Sequence, residues 1–351
     1  MSGGVDSSVA AALLKKQGYL VRGVFMVLHD DTEKLEKNLQ DLEKVSVQLG
    51  IECEILDLRR RFKKEVVKYF LDEYAAGHTP NPCVFCNENF KFKILLEEAK
   101  KNGIDYVATG HYALTRKLKV KEKIIYKLFT AKDKNKDQSY FLYRLGQEAL
   151  ARIIFPLGEY EKAEVRALAK KFKLPVHDKR ESQDVCFMAG MSTDEFLKKN
   201  LKLKKGNIVD EKGETIGRHD GLPLYTLGQR KGINIGGTGP YYVIAKNFKK
   251  NILTVTNNKK ESALFSQAIE LTNVMWTNKS PKLPLRVLVR SRYRNIPVYA
   301  TIKTKIPVDK KCYTDSMLIV EFAESEKAAA RGQSAVFYGE DGEVIGGGII
   351  K

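Results

Sequence analysis

The sequence predicts an α/β parallel-sheet domain at the N-terminus, followed by a smaller unit and a β-rich C-terminus. Three observations carry this. Short apolar stretches alternate with amphipathic helical stretches over the first third of the chain. A glycine-rich turn at residues 2–8 opens directly into a helix. From about residue 205 the helical period gives way to glycine and β-branched alternation. With 351 residues and 43% hydrophobic composition, the chain is long enough for two or three domains with real cores.

The elements follow in order. Val9–Gly18 reads as a helix, and Val21–Leu28 as a strand buried on both faces, apolar apart from Arg22. Glu33–Leu49 carries Leu35, Leu39, Leu42, Val45 and Leu49 at helical spacing, and Ile51–Leu56 is strand-like. Phe62–Ala75 and Phe90–Lys101 are further amphipathic helices, and Ile104–Thr109 is another buried strand. Two loops interrupt the alternation: His78–Asn87, rich in proline and cysteine, and the polar stretch Lys132–Ser139. Glu161–Lys173 is helical up to Pro175, and His177–Met188 has no period. Lys121–Lys127 belongs to a surface hairpin. Asn207–Asp210 and Glu214–Gly217 flank a turn. Leu285–Arg290, Val298–Lys303, Met317–Phe322 and Ala335–Tyr338 are short strands at regular intervals, as in a closed or sandwiched antiparallel unit.

Composition narrows the function. Lys+Arg number 61 against 43 Asp+Glu, a net +18, which favours a polyanionic partner over a proteome-wide lysine bias only when joined to other signals. No apolar run reaches the ~20 residues of a membrane helix, so no membrane partner is expected. Five cysteines make no secreted framework. No secretory or transit segment is evident, and a reducing cytoplasm is the expected compartment, where thiols are catalytic or metal-binding more often than cross-linked.

The loop Ser2-Gly3-Gly4-Val5-Asp6-Ser7-Ser8 is the strongest local signal. Adjacent glycines let backbone N–H groups approach an anion, and the helix that follows adds its positive end. The plain alternative is a helix cap. The string resembles the pyrophosphate loop of the PP-loop ATP pyrophosphatases, and it lacks the Gly-Lys-Ser/Thr of a Walker A motif. Such a loop follows a buried strand, whereas here it begins at residue 2; the expectation is a parallel sheet lacking that strand, with apolar surface and ladder groups exposed.

Thr79-Pro80-Asn81-Pro82-Cys83-Val84-Phe85-Cys86-Asn87 sets two thiols in a proline-stiffened loop, and Cys186 stands alone in Ser182-Gln183-Asp184-Val185-Cys186-Phe187. Cys-x-x-Cys is compatible with a redox pair, half a zinc site or part of an iron–sulfur site; no second pair at zinc spacing exists. Cys53 and Cys312 read as small core residues.

The order of an SGGVDSS loop, a TPNPxxxCN loop and a lone cysteine before phenylalanine, in a basic chain with a β-rich end, is similar to the tRNA-specific 2-thiouridylases. The match covers nearly the whole chain. Gly23–Met26 resembles the family's adenine-side strand, Ala108–Tyr112 its second nucleotide-side turn, and Lys136–Tyr140 its tRNA-contacting loop. Tyr225–Arg230 resembles a central-domain signature, while Arg290–Arg294 and Gly332–Val336 resemble C-terminal tRNA contacts.

The resemblance implies a PP-loop (adenine nucleotide alpha hydrolase-like) domain at 1–190, a small central domain at 191–262 and a C-terminal antiparallel β-barrel at 263–351 that contacts tRNA. It implies an enzyme that replaces O2 of the tRNA wobble uridine (U34) with sulfur. ATP and Mg²⁺ would be held by Ser2, Gly3, Gly4, Val5, Asp6, Ser7, Met26 and Gly110. Asn81, Pro82, Cys83, His111, Lys136, Asp137, Gln138, Arg292, Tyr293 and Gln333 would contact tRNA. Cys186 would carry a persulfide from a sulfur-donor protein, a cysteine desulfurase or sulfur carrier, and Cys86 would attack it or resolve it as a disulfide. Because Cys83 stands where some members carry aspartate, a second arrangement stays open: Cys83, Cys86 and Cys186 as ligands of an iron–sulfur cluster. Plain readings remain beside these. His111 is structural or substrate-contacting before it is an acid or base. Arg292 and Arg294 are compatible with a solvated strand face, although Tyr293 between them suits an unpaired base. The rival functions are another PP-loop ligase on a small substrate, and a tRNA-binding homologue inactivated by loss of its N-terminal strand.

Overall fold

The structure is a computed structural model that describes residues 1–180, 185–188, 190–233, 235–236, 239–304, 317–327 and 329–351. Ser182, Gln183, Asp184 and Cys312, singled out above, lie outside the described residues.

The N-terminal α/β region begins with α1 (Val5–Lys16) and β1 (Gly23–Val27), followed by α2 (Thr32–Leu49) and β2 (Cys53–Asp57). The Asp31 side chain caps α2 by accepting from the Lys34 N–H, and Gly50 closes it at φ +56°. β1 and β2 are parallel, Phe25 opposite Ile55. A near-continuous helix follows: α3 (Arg59–Phe62), a π turn (Lys63–Val67) and α4 (Lys68–Ala75). It is matched by α5 (Pro82–Cys86), a second π turn (Asn87–Lys91) and α6 (Phe92–Lys101).

Here the expectation of a loop across residues 78–87 needs correcting. Pro82 sits at the first helical turn, where its missing N–H costs nothing, and Val84 and Cys86 point into the core, so the cysteine segment is helical. The strand expected at 104–109 shrinks to β3 (Val107–Ala108), and Tyr106 is exposed.

β4 (Leu114–Val120) and β5 (Lys123–Phe129) form the hairpin expected around 121–127. After α7 (Gln147–Leu150) comes β6 (Ile153–Ile154), which pairs in parallel with β3. α8 (Lys162–Lys171), with a capping box between Glu161 and Glu164, packs on α1 through Val9, Leu13, Val165 and Ala169. The parallel strands of this N-terminal region form two separate pairs, and no strand among the described residues joins β1 to β3.

The central unit opens with α9 (Thr193–Asn200) and holds β7 (Gly206–Val209), β8 (Thr215–His219), β9 (Tyr242–Asn247) and β10 (Ile252–Thr256) in the order β8-β7-β10-β9. The C-terminal unit comprises β11 (Phe265–Trp276), β12 (Leu285–Arg290), β13 (Val298–Thr304), β14 (Leu318–Lys327), β15 (Ser334–Tyr338) and β16 (Glu343–Ile350). These six strands close on themselves, because β11 pairs with both β14 and β16. The result is a barrel with no free edge of its own. The β4–β5 hairpin then adds to β16, Phe129 opposite Glu343.

Two shared cores lock the units together. One gathers Phe62, Phe70, Cys86, Phe90 and Phe187 with Leu224, Val243 and Leu253 of the central unit. The other gathers Phe92, Leu128, Tyr140 and Tyr143 with Val336, Tyr338 and Val344 of the barrel. The cysteine helix lies between them: Cys86 belongs to the first core, Val84 to the second.

Candidate active site

A single cleft of about 2810 Å³ joins the N-terminal loop to the thiols. Ser2, Gly4, Val5, Asp6 and Ser7 line one part of it, with Met26 of β1 and Gly110 beyond β3. Asn81, Pro82, Cys83, Cys86 and Cys186 line another. His111, Lys136, Asp137, Gln138, Tyr293 and Gln333 also reach it, as do Arg290 and Arg294.

The loop is built to leave amides free. Gly4 is the N-cap of α1, and no side chain caps the helix. The serines turn inward: Ser2 Oγ and Ser7 Oγ lie 3.0 Å apart, Ser7 Oγ donates to Gly4 O at 3.1 Å and Ser8 Oγ to the same oxygen at 2.9 Å. First-turn N–H groups therefore face the cleft without side-chain acceptors, which is how a helix start receives an anion. Gly110 approaches the loop so closely that a Cβ there would lie 2.8 Å from Ser7 N. Gly3 does not line the cleft; at φ +66° it turns the loop against α2, where a Cβ would meet Asn38 O at 2.6 Å. Lys179 fastens this turn by donating to Gly3 O at 2.9 Å and Asn38 Oδ1 at 2.8 Å, and by pairing with Asp41 at 2.5 Å.

Asp6 is engaged. Lys162, the first residue of α8, pairs with its carboxylate at 2.6 Å, and the Tyr112 hydroxyl donates to the same oxygen at 2.9 Å. The periodic sequence reads Lys162 as the start of a solvated helix, so its part in the loop was not legible there.

The thiols sit where the first core meets the cleft. Cys86 is buried at 8% exposure, and burial pushes its thiol up to about 12; the positive charge of Lys91 and that residue's backbone N–H pull the other way. Cys83 and Cys186 show surface to the cleft, yet the protein crowding around them also raises both thiols, again opposed first by Lys91. Phe187, next to Cys186, packs in the same core as Cys86. Cys53 lies apart, against Gly23 in the β1–β2 pair. Among the described residues no three His, Cys, Asp or Glu side chains converge as a metal site. As placed, Cys83, Cys86 and Cys186 do not form the ligand set a cluster needs.

The other candidates divide. Asn81 Nδ2 donates to the Tyr140 hydroxyl at 2.9 Å, and that hydroxyl donates to Ser334 O at 2.8 Å. Gln333 Nε2 donates to Thr79 O at 2.6 Å, tying the barrel to the cysteine segment. Gln138 Oε1 accepts from the Tyr112 N–H at 3.0 Å. Asp137 is 2% exposed, accepts from the N–H groups of Ala131 and Ser139 and from Ser139 Oγ, and pairs with Arg290 at 3.3 Å. Its carboxylate organises the loop from within. His111 is half-buried, its Nδ1 2.8 Å from Thr109 Oγ1, and the surrounding protein, aided by Lys91, holds its pKa well below the usual value. Tyr293 packs on Phe141 with centroids 4.3 Å apart. Arg292 does not line the cleft; its Nη2 donates to Leu227 O at 3.2 Å. Lys136 lines the cleft half-buried.

Known proteins agree with this architecture. Residues 1–190 match the family described as tRNA methyl transferase HUP domain, residues 194–257 its PRC-barrel domain, and residues 266–350 the aminomethyltransferase beta-barrel domain. The protein named tRNA-specific 2-thiouridylase MnmA from Halalkalibacterium halodurans is 42% identical over all of this chain and 93% of its own length. The chain belongs to the tRNA-specific 2-thiouridylase family. Proteins of the same name from Neisseria meningitidis serogroup B and Listeria monocytogenes are 42% and 41% identical, again over the whole of this chain and 94% and 93% of their own lengths. Among the described residues, no helix is long and apolar enough to cross a membrane.

Proposed function

We propose that this 2-thiouridylase family member is a tRNA-uridine 2-sulfurtransferase that converts the wobble uridine to 2-thiouridine, using ATP and a sulfur-donor protein. The observation that carries the reading is the one cleft that runs from the uncapped start of α1 to Cys86 and Cys186.

The chemistry follows from the groups in that cleft. The amides of residues 4–7 and the positive end of α1 receive the phosphates of ATP. Met26 and Gly110 flank the nucleotide. Mg²⁺ would offset the charge of departing pyrophosphate, with Asp6 as its carboxylate once Lys162 releases it. The uridine leaves its stack and enters between Tyr293 and the cysteine helix. Its O2 attacks the α-phosphorus, pyrophosphate leaves, and C2 becomes electrophilic. The terminal sulfur of a Cys186 persulfide bonds to C2 as AMP departs. The Cys86 thiolate then attacks Cys186 Sγ: a Cys86–Cys186 disulfide forms, the bond to the transferred sulfur breaks, and the electron pair stays on 2-thiouridine. An external thiol reductant restores both cysteines. Methyl transfer, the wording attached to the matching domains, leaves three thiols in the cleft without a task.

The test is nucleoside analysis of tRNA incubated with the protein, ATP, Mg²⁺ and a persulfide donor. The expected product is 2-thiouridine, abolished in Cys186→Ser. Thiolation retained in that variant would remove Cys186 from the reaction, and tRNA binding without turnover in the unaltered protein would favour the inactivated homologue.

A further inference from the structure

Lys91 is a half-buried cation with a conspicuous lack of company. It lines the cleft, and among the described residues its ammonium has neither a hydrogen-bond nor an ion-pair partner. Of the other cleft lysines, Lys162 pairs with Asp6 and Lys179 with Asp41, while Lys34, also half-buried, shares the lack of a side-chain partner among the described residues but lies on α2, away from the cysteine helix. A cation lining a cleft with no counter-ion among the described residues is available to an anion that enters it.

Its position on the backbone is equally specific. Lys91 ends the π turn Asn87–Lys91 that directly follows Cys86. A π turn widens the helical ladder by one residue and is frequent at functional sites. Here it sets Lys91 one turn beyond Cys86 on the same helical run, lining the cleft that Cys83, Cys86 and Cys186 share, where its charge opposes the burial that raises all three thiols. Phe90 and Phe92 on either side are fully buried, which fixes the backbone that carries it. The charged and titratable groups facing the sulfurs are few. Among the described residues, Lys91 acts on all three sulfurs, Lys34 on Cys186 and Tyr293 on Cys83, and the sulfurs act on one another; His111, whose pKa burial and Lys91 hold well below its usual value, also lines the cleft.

We propose that Lys91 is a positioning residue for sulfur transfer, its ammonium holding the anionic sulfur as it passes from Cys186 toward Cys86. This rests on the sulfurtransferase reading. Lys91 makes and breaks no bond. It stabilises the Cys86 thiolate before that sulfur attacks, and the anionic terminal sulfur of Cys186 before it reaches C2. A phosphate would answer to the same cation, so the test must separate the two.

The test reads the thiols directly, without tRNA or ATP. Iodoacetamide alkylation of Cys86, Cys83 and Cys186 in the full chain is followed by fragment mass spectrometry across a pH series. Below a thiol's own pKa the rate tracks its thiolate fraction, so removing the cation in Lys91→Met is expected to slow Cys86 alkylation about ten-fold at each pH, with Lys91→Arg restoring most of it. Lys91→Gln gives the same reading from a polar side chain should the methionine variant melt early. An unchanged alkylation profile in a folded Met or Gln variant overturns the proposal, as does a loss of ATP affinity in place of a change at sulfur, which would assign Lys91 to phosphate. Absence of 2-thiouridine from the unaltered protein would instead fail the sulfurtransferase reading, and the alkylation series is independent of that outcome.

Discussion

At residue scale, the nucleotide end of the cleft depends on one close approach. A Cβ at Gly110 would lie 2.8 Å from Ser7 N and 2.9 Å from Asp6 C, both backbone atoms of the loop, which cannot swing away as a side-chain tip does. Gly110→Ala is therefore expected to weaken ATP binding by at least about ten-fold in calorimetry, because displaced amides lose their aim at the phosphates. Titration provides a second residue-scale expectation. Burial lowers the pKa of His111 well below its usual value, and burial also lowers His29 and His219. In the unfolded chain these rings take up a proton near pH ~6.5 that the folded protein refuses. Their contribution is thus intact above that pH and is lost as pH falls below it. The melting temperature should drop between about pH 7 and pH 5, and His111→Asn should drop less steeply over the same interval. A parallel decline in both proteins would show that His111 carries none of the effect.

At element scale, the helices beneath the thiols act as one packed unit. Phe62 of α3 is 1% exposed and meets Phe90 edge-on at 5.2 Å and Phe187 at 5.9 Å. Phe90 lies in the π turn after Cys86, and Phe187 follows Cys186. Phe62→Ala should cost roughly 3–5 kcal/mol in denaturant unfolding through the cavity it leaves. Thiolation measured well below the melting point should fall as well, since the cavity loosens the backbone under both sulfurs; full activity there would show the sulfurs to be held independently of this core. Much of this layer was legible in advance. The helical spacing of Leu35 to Leu49 yields α2, and the apolar run after Arg22 yields β1, because burial alone enforces those periods. The helix at Pro82–Cys86 was not legible, since Pro80, Asn81 and Pro82 read as loop chemistry while Pro82 serves as a helix start. Nor was the roles of Lys91 and Lys162: a lysine on a helical stretch reads as solvated until the partner elements are placed.

At the scale of the whole molecule, the decisive arrangement is made by contacts between distant parts of the sequence. The β4–β5 hairpin extends the barrel sheet through β16, with Lys127 paired to Glu343 at 2.5 Å. Lys246 of β9 donates to Gly77 O at 2.7 Å and to Tyr225 O at 2.8 Å, holding the central unit against the turn after α4. No local pattern announces pairings of that separation, whereas the cysteine and glycine segments they assemble were visible as motifs. The assembly brings Tyr293, Arg290 and Arg294 of the barrel to the cleft that Cys83, Cys86 and Cys186 share. A net charge of +18 then bears on binding. If four to six lysines or arginines neutralise tRNA phosphates, each releases roughly 0.9 counterion on a duplex stretch, and tRNA affinity should fall by about two to three orders of magnitude between 50 and 200 mM salt. Fluorescence titration over that range measures the slope. Arg294→Ala should reduce it by about one unit if that side chain meets a phosphate, and should leave it unchanged if it only lines the wall. A flat response in the unaltered protein would detach the charge from RNA altogether, leaving recognition to the stacking and base contacts within the cleft.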